Sequence, residues 1–227
     1  MGLLDRLIRW AGLEFDLDLH SDPFDRITSQ LYLGARPRPE EVDALKAAGI
    51  TDVVSCLPVS EREAMAFLQE DFRARFIPVH DGIHEDITAA LPVFFEALSR
   101  VGADGRLLVH CEVGVSRSAT LAVAHVMRST GSRFYEAFCS VRRRRPQVLP
   151  NIGFASQLQR FELTLHPRRG GGELSSLTRY LHEVCNVPGE ARVLQAALEA
   201  HDLDAYRAIR SLFDGEIPRV VQGVRLR

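Results

Sequence analysis

The sequence predicts an α/β fold of three layers, with a central, twisted and mostly parallel sheet flanked by helices. Three observations lead to this prediction. Short apolar runs alternate with longer segments of helical periodicity, a pattern typical of parallel sheets covered by helices. The 227 residues are enough for one such domain and an appendage. Hydrophobic residues make up 46% and charged residues 26% of the chain, which is the composition of a globular protein with its own core.

Four short runs of apolar and β-branched residues are predicted to form the strands. They lie at 26–34 (RITSQLYLG), 50–57 (ITDVVSCL), 75–80 (RFIPVH) and 106–111 (RLLVHC). The first run ends at Gly34, and the second is bounded by Gly49 and Pro58. Glycine and proline interrupt regular structure, so these bounds indicate short strands that end in turns.

Helical periodicity predicts the layers that cover the sheet. The predicted helices lie at 40–48, 60–72, 88–101, 118–130, 133–145 and 152–165. In the helix at 60–72 we expect Ser60 to be the N-cap, because Glu63 follows it at the spacing of a capping box. Gly131 is expected to end the helix at 118–130.

The chain divides into four predicted segments. They are an amphipathic N-terminal segment (1–22), a main domain (23–166), a glycine-rich linker (167–173) and a helical C-terminal extension (174–227). Within the extension, helical segments are predicted at 174–185, 189–200 and 202–213. Their apolar residues at helical spacing favour packing within the extension or against the main domain, and docking of a substrate or partner is the alternative.

Composition and charge exclude several classes of function. A net charge of −2 lacks the basic excess of a nucleic-acid binder, so no nucleic-acid partner is expected. The four cysteines have no CxxC spacing, which argues against a zinc site, and neither a metal nor a cofactor is expected. Scattered free thiols suit a reducing compartment, and we therefore expect a cytoplasmic protein.

The chain contains no run of 18 apolar residues, so no membrane-spanning helix is predicted. The N-terminal segment has apolar residues at the spacing of an amphipathic helix, namely Leu3, Leu4, Leu7, Ile8 and Trp10. Asp5 and the lack of a small-residue cleavage site argue against a signal peptide. Two interpretations stay open, a helix docked on the main domain and a helix that contacts a membrane surface.

Residues 110–118, His-Cys-Glu-Val-Gly-Val-Ser-Arg-Ser, carry the predicted chemistry. A buried strand is expected to deliver Cys111 at its end, and the turn after it opens a helix. Backbone N–H groups at such a helix start point into one concavity, which binds a tetrahedral oxyanion. A thiol beside a helix N-terminus and an arginine loses its proton readily, so Cys111 is the predicted nucleophile.

Three neighbours of Cys111 fit an oxyanion site of this kind. Arg117 follows six residues later and can bind two phosphate oxygens with its planar fork. Gly114 allows the backbone to approach closely, and Ser118 can donate a hydrogen bond to the sulfur. The predicted phosphate-binding loop consists of Glu112, Val113, Gly114, Val115, Ser116 and Arg117.

The segment HCEVGVSRSAT resembles the signature of the protein tyrosine phosphatase superfamily, HCx5R followed by Ser or Thr, in its dual-specificity branch. RITSQLYLG and GITDVVSCL look like the first two strands of that branch, and RRRRPQVLPNIGFASQL looks like its closing segment. Together these motifs cover about residues 24–165 in family order. The resemblance implies the three-layer phosphatase fold and hydrolysis of phosphate monoesters through a cysteinyl-phosphate intermediate.

The resemblance also implies roles for residues outside the loop. The branch takes its general acid from an aspartate in a loop before the cysteine, and Asp81 occupies this place directly after a predicted strand. Asp86 and Glu85 share this loop and are the alternatives. His110 is implied to order the phosphate-binding loop. Asn151 is implied to brace the same loop through backbone contacts, and a plain turn residue is the alternative for it.

The expected substrate is a phosphoprotein carrying phosphotyrosine, phosphoserine or phosphothreonine. Members of the superfamily that act on inositol lipids tend to carry lysine or further arginine between the cysteine and the arginine, and here no cation lies between Cys111 and Arg117. The resemblance therefore disfavours a polyanionic lipid headgroup. One alternative is a phospholipid phosphatase, because FDRITSQLYLGARP also looks like the start of phosphatidylglycerophosphate phosphatases of this fold. A second alternative is a non-catalytic phosphoprotein-binding module. The arginine run at 142–145 is expected to be a solvated face at a helix C-terminus, with an anion-binding patch as the alternative.

Overall fold

The computed structural model describes residues 23–167 and 174–213. Three predictions fall outside these ranges: the amphipathic N-terminal segment, all but the first residue of the glycine-rich linker, and the extension after Phe213. The division of the chain at the linker stays a prediction. Among the described residues no helix combines the length and the apolar character needed to cross a bilayer.

A five-stranded sheet forms the centre of the fold. Its strands are β1 (Phe24–Arg26), β2 (Leu31–Gly34), β3 (Ile50–Leu57), β4 (Arg73–Pro78) and β5 (Arg106–His110). Their order across the sheet is β1-β2-β5-β3-β4. β1 pairs antiparallel with β2, and the other pairs are parallel. β5 therefore lies in the middle of the sheet, between β2 and β3, where both of its edges are hydrogen-bonded.

Helices cover both faces of the sheet, which confirms the predicted α/β class with three layers. They are α1 (Val42–Ala47), α2 (Leu68–Asp71), α3 (Leu91–Ser99), α4 (Arg117–Thr130), α5 (Phe134–Arg144), α6 (Ile152–Leu165), α7 (Ser176–Arg179), α8 (Ala191–Ala200) and α9 (Ala205–Phe213). A π-helical turn, Tyr180–Val184, extends α7. Neighbouring residues of β3 point to opposite faces, so Val53 joins a small core under α1 and α2, and Val54 joins a larger core under α3–α9.

The strand predicted at 26–34 is instead two antiparallel strands, β1 and β2, joined by a tight turn. Thr28 causes the break, because its hydroxyl accepts hydrogen bonds from the amides of Gln30 (3.4 Å) and Leu31 (3.1 Å). The amides of Ile27 and Thr28 both donate to the Leu31 carbonyl. Side-chain hydroxyls that bond the backbone in this way compete with strand pairing and favour turns.

The helix predicted at 60–72 is also wrong in its details. The segment forms two 3-10 turns, Val59–Glu61 and Glu63–Met65, followed by the short helix α2. Ser60 lies inside the first turn and is not an N-cap. Amides in this segment donate to carbonyls three residues back, as Met65 does to Arg62 at 3.2 Å, so no continuous α-helix forms.

The C-terminal extension packs against the main domain. Buried residues of α7, α8 and α9 belong to the same hydrophobic core as α4, α5 and α6; they include Leu177, Tyr180, Leu181, Leu194, Leu198, Ala205, Ala208 and Ile209. The rings of Phe134 and Phe138 in α5 contact the ring of Tyr180 at centroid distances of 5.4 and 4.9 Å. Of the two expectations for these helices, the structure supports packing within the fold.

Candidate active site

The candidate site lies where the central strand β5 ends. His110 is the last residue of β5, Cys111 follows it, and α4 begins at Arg117. Because β2, β5 and β3 are parallel, their carboxyl ends lie at one edge of the sheet, and ligands bind preferentially outside that edge. The sequence-predicted loop, residues 112–117, thus connects a buried strand to a long helix, and its last residue, Arg117, is the first residue of that helix.

Cys111 lies in a buried position, with 1% of its surface exposed. Its Sγ accepts a hydrogen bond from the hydroxyl of Ser118, which lies in the first turn of α4, at 3.1 Å. Ser118 is itself fully buried. This contact places a hydroxyl donor against the sulfur of the predicted nucleophile.

The carbonyls of the loop are bonded on its outer side. The amide of Arg36 donates to the Glu112 carbonyl at 3.0 Å, and the amide of Leu149 donates to the Val115 carbonyl at 2.8 Å. In a planar trans peptide the N–H points opposite to the C=O. The N–H groups that follow these two carbonyls therefore point to the inner side of the loop, where they can bind an oxyanion.

Arg145 holds the carbonyls in the middle of the loop. Its Nε donates to the Gly114 carbonyl and its Nη2 to the Val113 carbonyl, both at 3.1 Å. Its Nη1 lies 2.7 Å from Oδ2 of Asp25 in β1. Arg145 is 1% exposed, whereas the first three arginines of the run at 142–145 are exposed. The interpretation of the run as a solvated face is therefore wrong for Arg145, because its guanidinium bonds the loop.

Gly114 is required where the loop turns. Its φ is +69°, in the left-handed region that side chains disfavour. A Cβ at this position would also collide with the backbone carbonyl of Gly34 at the end of β2. The backbone of Gly114 thus approaches β2 closely, and its role in binding phosphate stays a prediction.

His110 is completely buried under the loop. One ring nitrogen, Nε2, lies 2.7 Å from the hydroxyl of Ser55 in β3, and the other, Nδ1, lies 3.3 Å from the Cys111 carbonyl. A carbonyl can only accept, so Nδ1 carries the proton and Nε2 accepts from Ser55. Burial lowers the pKa of His110 to about 4, so the ring is neutral at physiological pH. The neutral ring therefore links Ser55 in β3 to the Cys111 carbonyl through two hydrogen bonds and so helps to fix the start of the loop. The sequence did not indicate Ser55 as a partner of His110.

Asp81 lies against the phosphate-binding loop. Its Oδ1 accepts hydrogen bonds from the hydroxyl of Ser116 at 2.7 Å and from Nδ2 of Asn151 at 2.8 Å. Its Oδ2 lies 3.6 Å from Nε of Arg117, which is 8% exposed. That Nε is buried and has no hydrogen-bond partner among the described residues, so it can donate to a bound oxyanion.

Asn151 bonds more than one element of the site. Its backbone amide donates to Oγ of Ser116 at 3.2 Å, and its Oδ1 caps α6 by accepting from the amide of Phe154 at 2.9 Å. Asn151 thus ties the start of α6 to the loop and to Asp81, which goes beyond both sequence interpretations. Asp86, by contrast, bonds the amide and hydroxyl of Thr88 at 2.9 and 2.5 Å.

The Asp81 loop, which we define as residues 80–87, rests on α6. The side chain of Gln157 accepts from the amide of Ile87 at 2.9 Å and donates to the carbonyl of Glu85 at 2.7 Å. Gly153 lies so close to the carbonyl of Ile83 that a Cβ there would overlap it. Gly153 and Gln157 stand in the segment whose resemblance to a family motif is noted above, but the sequence did not indicate these contacts.

The described part of the chain contains four unpaired cysteines and no group of three or more His, Cys, Asp or Glu side chains that could hold a metal ion. The groups that the structure brings together are a thiol, a neutral histidine, an arginine, an aspartate and inward backbone amides. A thiol nucleophile can attack phosphorus in such a site while the arginine and amides bind the equatorial oxygens.

Comparison with known proteins agrees with this chemistry. Residues 31–164, more than half of the chain, match the family model described as dual specificity phosphatase, catalytic domain. Dual specificity protein phosphatase 2 from Homo sapiens is 37% identical over 142 residues, which cover 60% of this chain and 42% of the relative. Dual specificity protein phosphatase 1B from Arabidopsis thaliana is 36% identical over 140 residues, covering 61% of this chain and 81% of the relative.

Solved structures show the same similarity. The crystal structure of human DUSP28 matches with a TM-score of 0.55 and 32% identity, over 63% of this chain and 95% of that chain. The chain therefore matches 95% of that structure, but it covers 42% of the length of the human relative named above.

Proposed function

This chain belongs to the dual specificity phosphatase family, and from that membership we propose that it is a cysteine-dependent protein phosphatase. It removes phosphate from phosphotyrosine and from phosphoserine or phosphothreonine through a cysteinyl-phosphate intermediate. The observation that carries the proposal is the position of the Asp81 carboxylate, which is hydrogen-bonded to Ser116 within the loop that begins at Cys111. An acid and a nucleophile at one oxyanion cradle are what phosphate-ester cleavage requires.

In the first step the thiolate of Cys111 attacks phosphorus, an S–P bond forms and the P–O bond to the substrate side chain breaks. The leaving oxygen takes a proton from the carboxyl group of Asp81. Arg117 and the inward amides of the loop stabilise the charge of the transferring phosphoryl group. Asp81 is the choice over Asp86 and Glu85, because its carboxylate is hydrogen-bonded to the phosphate-binding loop through Ser116. The carboxylate of Asp86 is instead hydrogen-bonded to Thr88, and that of Glu85 lies 3.4 Å from the amide of His80.

In the second step water attacks phosphorus, an O–P bond forms and the S–P bond breaks. Asp81, now a carboxylate, takes the proton of the attacking water. The hydroxyl of Ser118, 3.1 Å from the sulfur, stabilises the departing thiolate. Phosphate is released and the enzyme returns to its starting state, so the cycle balances without a metal or a redox cofactor.

The proposed substrate is a phosphoprotein in a reducing compartment, the cytoplasm. Glu112 contributes the carboxylate in the loop, and this side chain lies 3.5 Å from Nη1 of Arg36. Between Cys111 and Arg117 the loop offers no cation for a second phosphate, which disfavours a headgroup with several phosphates. The curated relatives named above are dual specificity protein phosphatases, which also favours a protein substrate.

The first test is phosphate release by the purified full chain, without added metal. The panel contains phosphotyrosine, phosphothreonine and phosphoserine peptides, together with phosphatidylglycerophosphate and phosphoinositide vesicles. Turnover of peptides that Cys111→Ser abolishes, while phosphopeptide binding persists, is the expected result. Turnover confined to the lipids would refute the protein-substrate proposal and would favour a membrane contact by residues 1–22. Binding of peptides without turnover by the wild type would favour the binding-module interpretation.

The second test identifies the acid by comparing Asp81→Asn with the matched variant Asp86→Asn. We expect Asp81→Asn to slow phosphopeptide turnover by roughly 100-fold, because general acid catalysis contributes about that much. The loss should be much smaller with an aryl phosphate whose phenol is strongly acidic, since that leaving group needs no proton. If Asp86→Asn gives this pattern and Asp81→Asn does not, the assignment of the acid is wrong.

A further inference from the structure

The C-terminal extension contacts the Asp81 loop directly. The ring of Tyr206 in α9 packs against the ring of His84, with centroids 5.5 Å apart and ring planes at 85°. His84 lies three residues after Asp81, at an exposed position of the loop. Tyr206 lies well beyond residue 164, where the match to the family model ends. The contact therefore joins the loop of the proposed acid to a segment that the family model does not include.

Helix α6 connects the extension to the same loop a second time. On one side it holds the loop through Gly153 and Gln157, as described above. On another side the hydroxyl of Ser156 accepts from the amide of Ala205, at the start of α9, at 3.0 Å. Both of these residues are buried. The amide of Ala205 is thus fixed next to Tyr206 by the helix that also supports the loop.

A third contact reaches the residue before Asn151. The hydroxyl of Tyr180, in the π-helical turn after α7, donates to the carbonyl of Pro150 at 2.5 Å. Tyr180 is completely buried against α5. Asn151, the next residue, donates to Asp81. The extension therefore contacts the residue before Asn151, which is one of the two hydrogen-bond donors to the Asp81 carboxylate, and it also contacts the exposed part of the Asp81 loop.

We propose that the C-terminal extension positions the Asp81 loop for proton transfer, and that Tyr206 is the positioning residue that makes this contact through His84. The inference rests on the proposed function, because it takes Asp81 as the general acid. A general acid must lie within hydrogen-bond reach of the leaving oxygen, and small displacements of a catalytic group cost much of its effect. The ring of Tyr206 supports the loop from outside at His84, three residues from Asp81, and this contact restricts the movement of the loop.

The experiment measures kcat and KM of Tyr206→Ala with two substrates, a phosphoserine peptide and an aryl phosphate with a strongly acidic phenol. We expect kcat for the peptide to fall about 2- to 13-fold, the range that one perpendicular ring pair represents in rate. KM for the peptide and kcat for the aryl phosphate should stay near the wild-type values. Tyr206→Phe keeps the ring and should therefore have the wild-type kcat on both substrates.

His84→Ala tests the same contact from an exposed position, so it keeps the proposal testable if Tyr206→Ala does not fold. The two changes should not be additive, because either one removes the whole ring pair. Arg207→Ala is the matched control on α9, since that side chain is 74% exposed and should change neither rate. Met65→Ala changes the core on the opposite face of the sheet and should lower the unfolding midpoint. Any loss of kcat in this variant should be the same for the peptide and for the aryl phosphate.

Two outcomes overturn the proposal. If Tyr206→Ala and His84→Ala keep the wild-type kcat on the peptide, or lose rate equally on both substrates, the extension does not position the acid. This outcome leaves the proposed function intact when Asp81→Asn in the same assay loses rate on the peptide alone. If Asp81→Asn loses no rate on the peptide relative to the aryl phosphate, the assignment of the acid fails and this proposal fails with it.

Discussion

Replacing Arg145 by lysine should destabilise the protein far more than any other change in the arginine run. The guanidinium bonds the carbonyls of Val113 and Gly114 and the carboxylate of Asp25 at the same time. A lysine ammonium is a compact charge that cannot span three acceptors on different elements. We therefore expect the loss of at least two hydrogen bonds from a charged donor, each contributing about 1.5–3 kcal/mol, in a buried place.

The expected cost is about 3–5 kcal/mol, within the range that two such hydrogen bonds contribute, because lysine keeps a positive charge opposite Asp25. For a chain of this size that corresponds to a fall in Tm of roughly 6–20 °C. Urea and thermal unfolding of Arg145→Lys measure it, and Arg143→Lys is the matched control because Arg143 is exposed in the same run. The control should stay within about 0.5 kcal/mol of the wild type. Equal stability of the two variants would refute the structural role of Arg145.

Measurement of vanadate binding distinguishes the ion pair of Arg145 with Asp25 from its hydrogen bonds to the loop carbonyls. Asp25→Asn weakens the ion pair but leaves the hydrogen bonds to Val113 and Gly114, so vanadate should bind to this variant almost as it does to the wild type. Arg145→Lys removes those bonds, and we expect vanadate affinity to fall about 10-fold as the loop loses its fixed shape. A loss of vanadate affinity in Asp25→Asn as large as that in Arg145→Lys would contradict the assignment of the loop's shape to the carbonyl bonds.

Three further predictions test the histidine and the two close glycines. His110 has a pKa near 4 in the folded state against 6.5 when unfolded, so the unfolded chain binds one more proton between these values. The contribution of His110 to stability should be full above about pH 6.5 and should be lost as the pH falls towards 4. His110→Gln should therefore reduce the slope of unfolding free energy against pH in this range. An unchanged slope would contradict the burial of a neutral His110. Gly114→Ala places a Cβ against Gly34 at positive φ, so vanadate affinity should fall at least about 10-fold, and wild-type affinity would exclude the collision. Gly153→Ala pushes on the carbonyl of Ile83, so peptide turnover should fall roughly 10- to 100-fold while an activated aryl phosphate is spared, and equal losses would be the contrary result.

The central part of the site could be predicted because it is continuous in sequence. A strand, a turn and a helix that follow one another within 110–118 fix the positions of Cys111, Arg117 and Ser118 through local geometry alone. Asp81 follows β4, and the carboxyl ends of parallel strands lie at one edge of the sheet, so its approach to the loop also follows from topology.

The remaining contacts join residues far apart in the chain, and the sequence pattern does not specify them. His110 and Ser55 are 55 positions apart, and they meet because β3 pairs with β5 in the register that sets them side by side. The prediction of Ser60 as an N-cap was wrong because packing elsewhere in the fold, which the local sequence does not specify, decides the conformation of this segment. A capping-box spacing states a local preference, and the packing of a short segment on the sheet overrides it.

The helical spacing of buried residues in α5 distinguishes Arg145 from the rest of the arginine run. The buried residues of α5 and the residue after it recur at helical spacing, namely Phe134, Phe138, Val141 and Arg145. Arg145 therefore continues the apolar face towards the core, whereas the three arginines before it lie on the other faces of the helix. A charged residue on a buried face must have partners, since an unpaired buried charge is too costly to persist. The helix face of each arginine in the run 142–145 thus predicts its environment: the first three are solvated, and the fourth requires acceptors inside the fold. In the structure these acceptors are the carboxylate of Asp25 and carbonyls of the phosphate-binding loop.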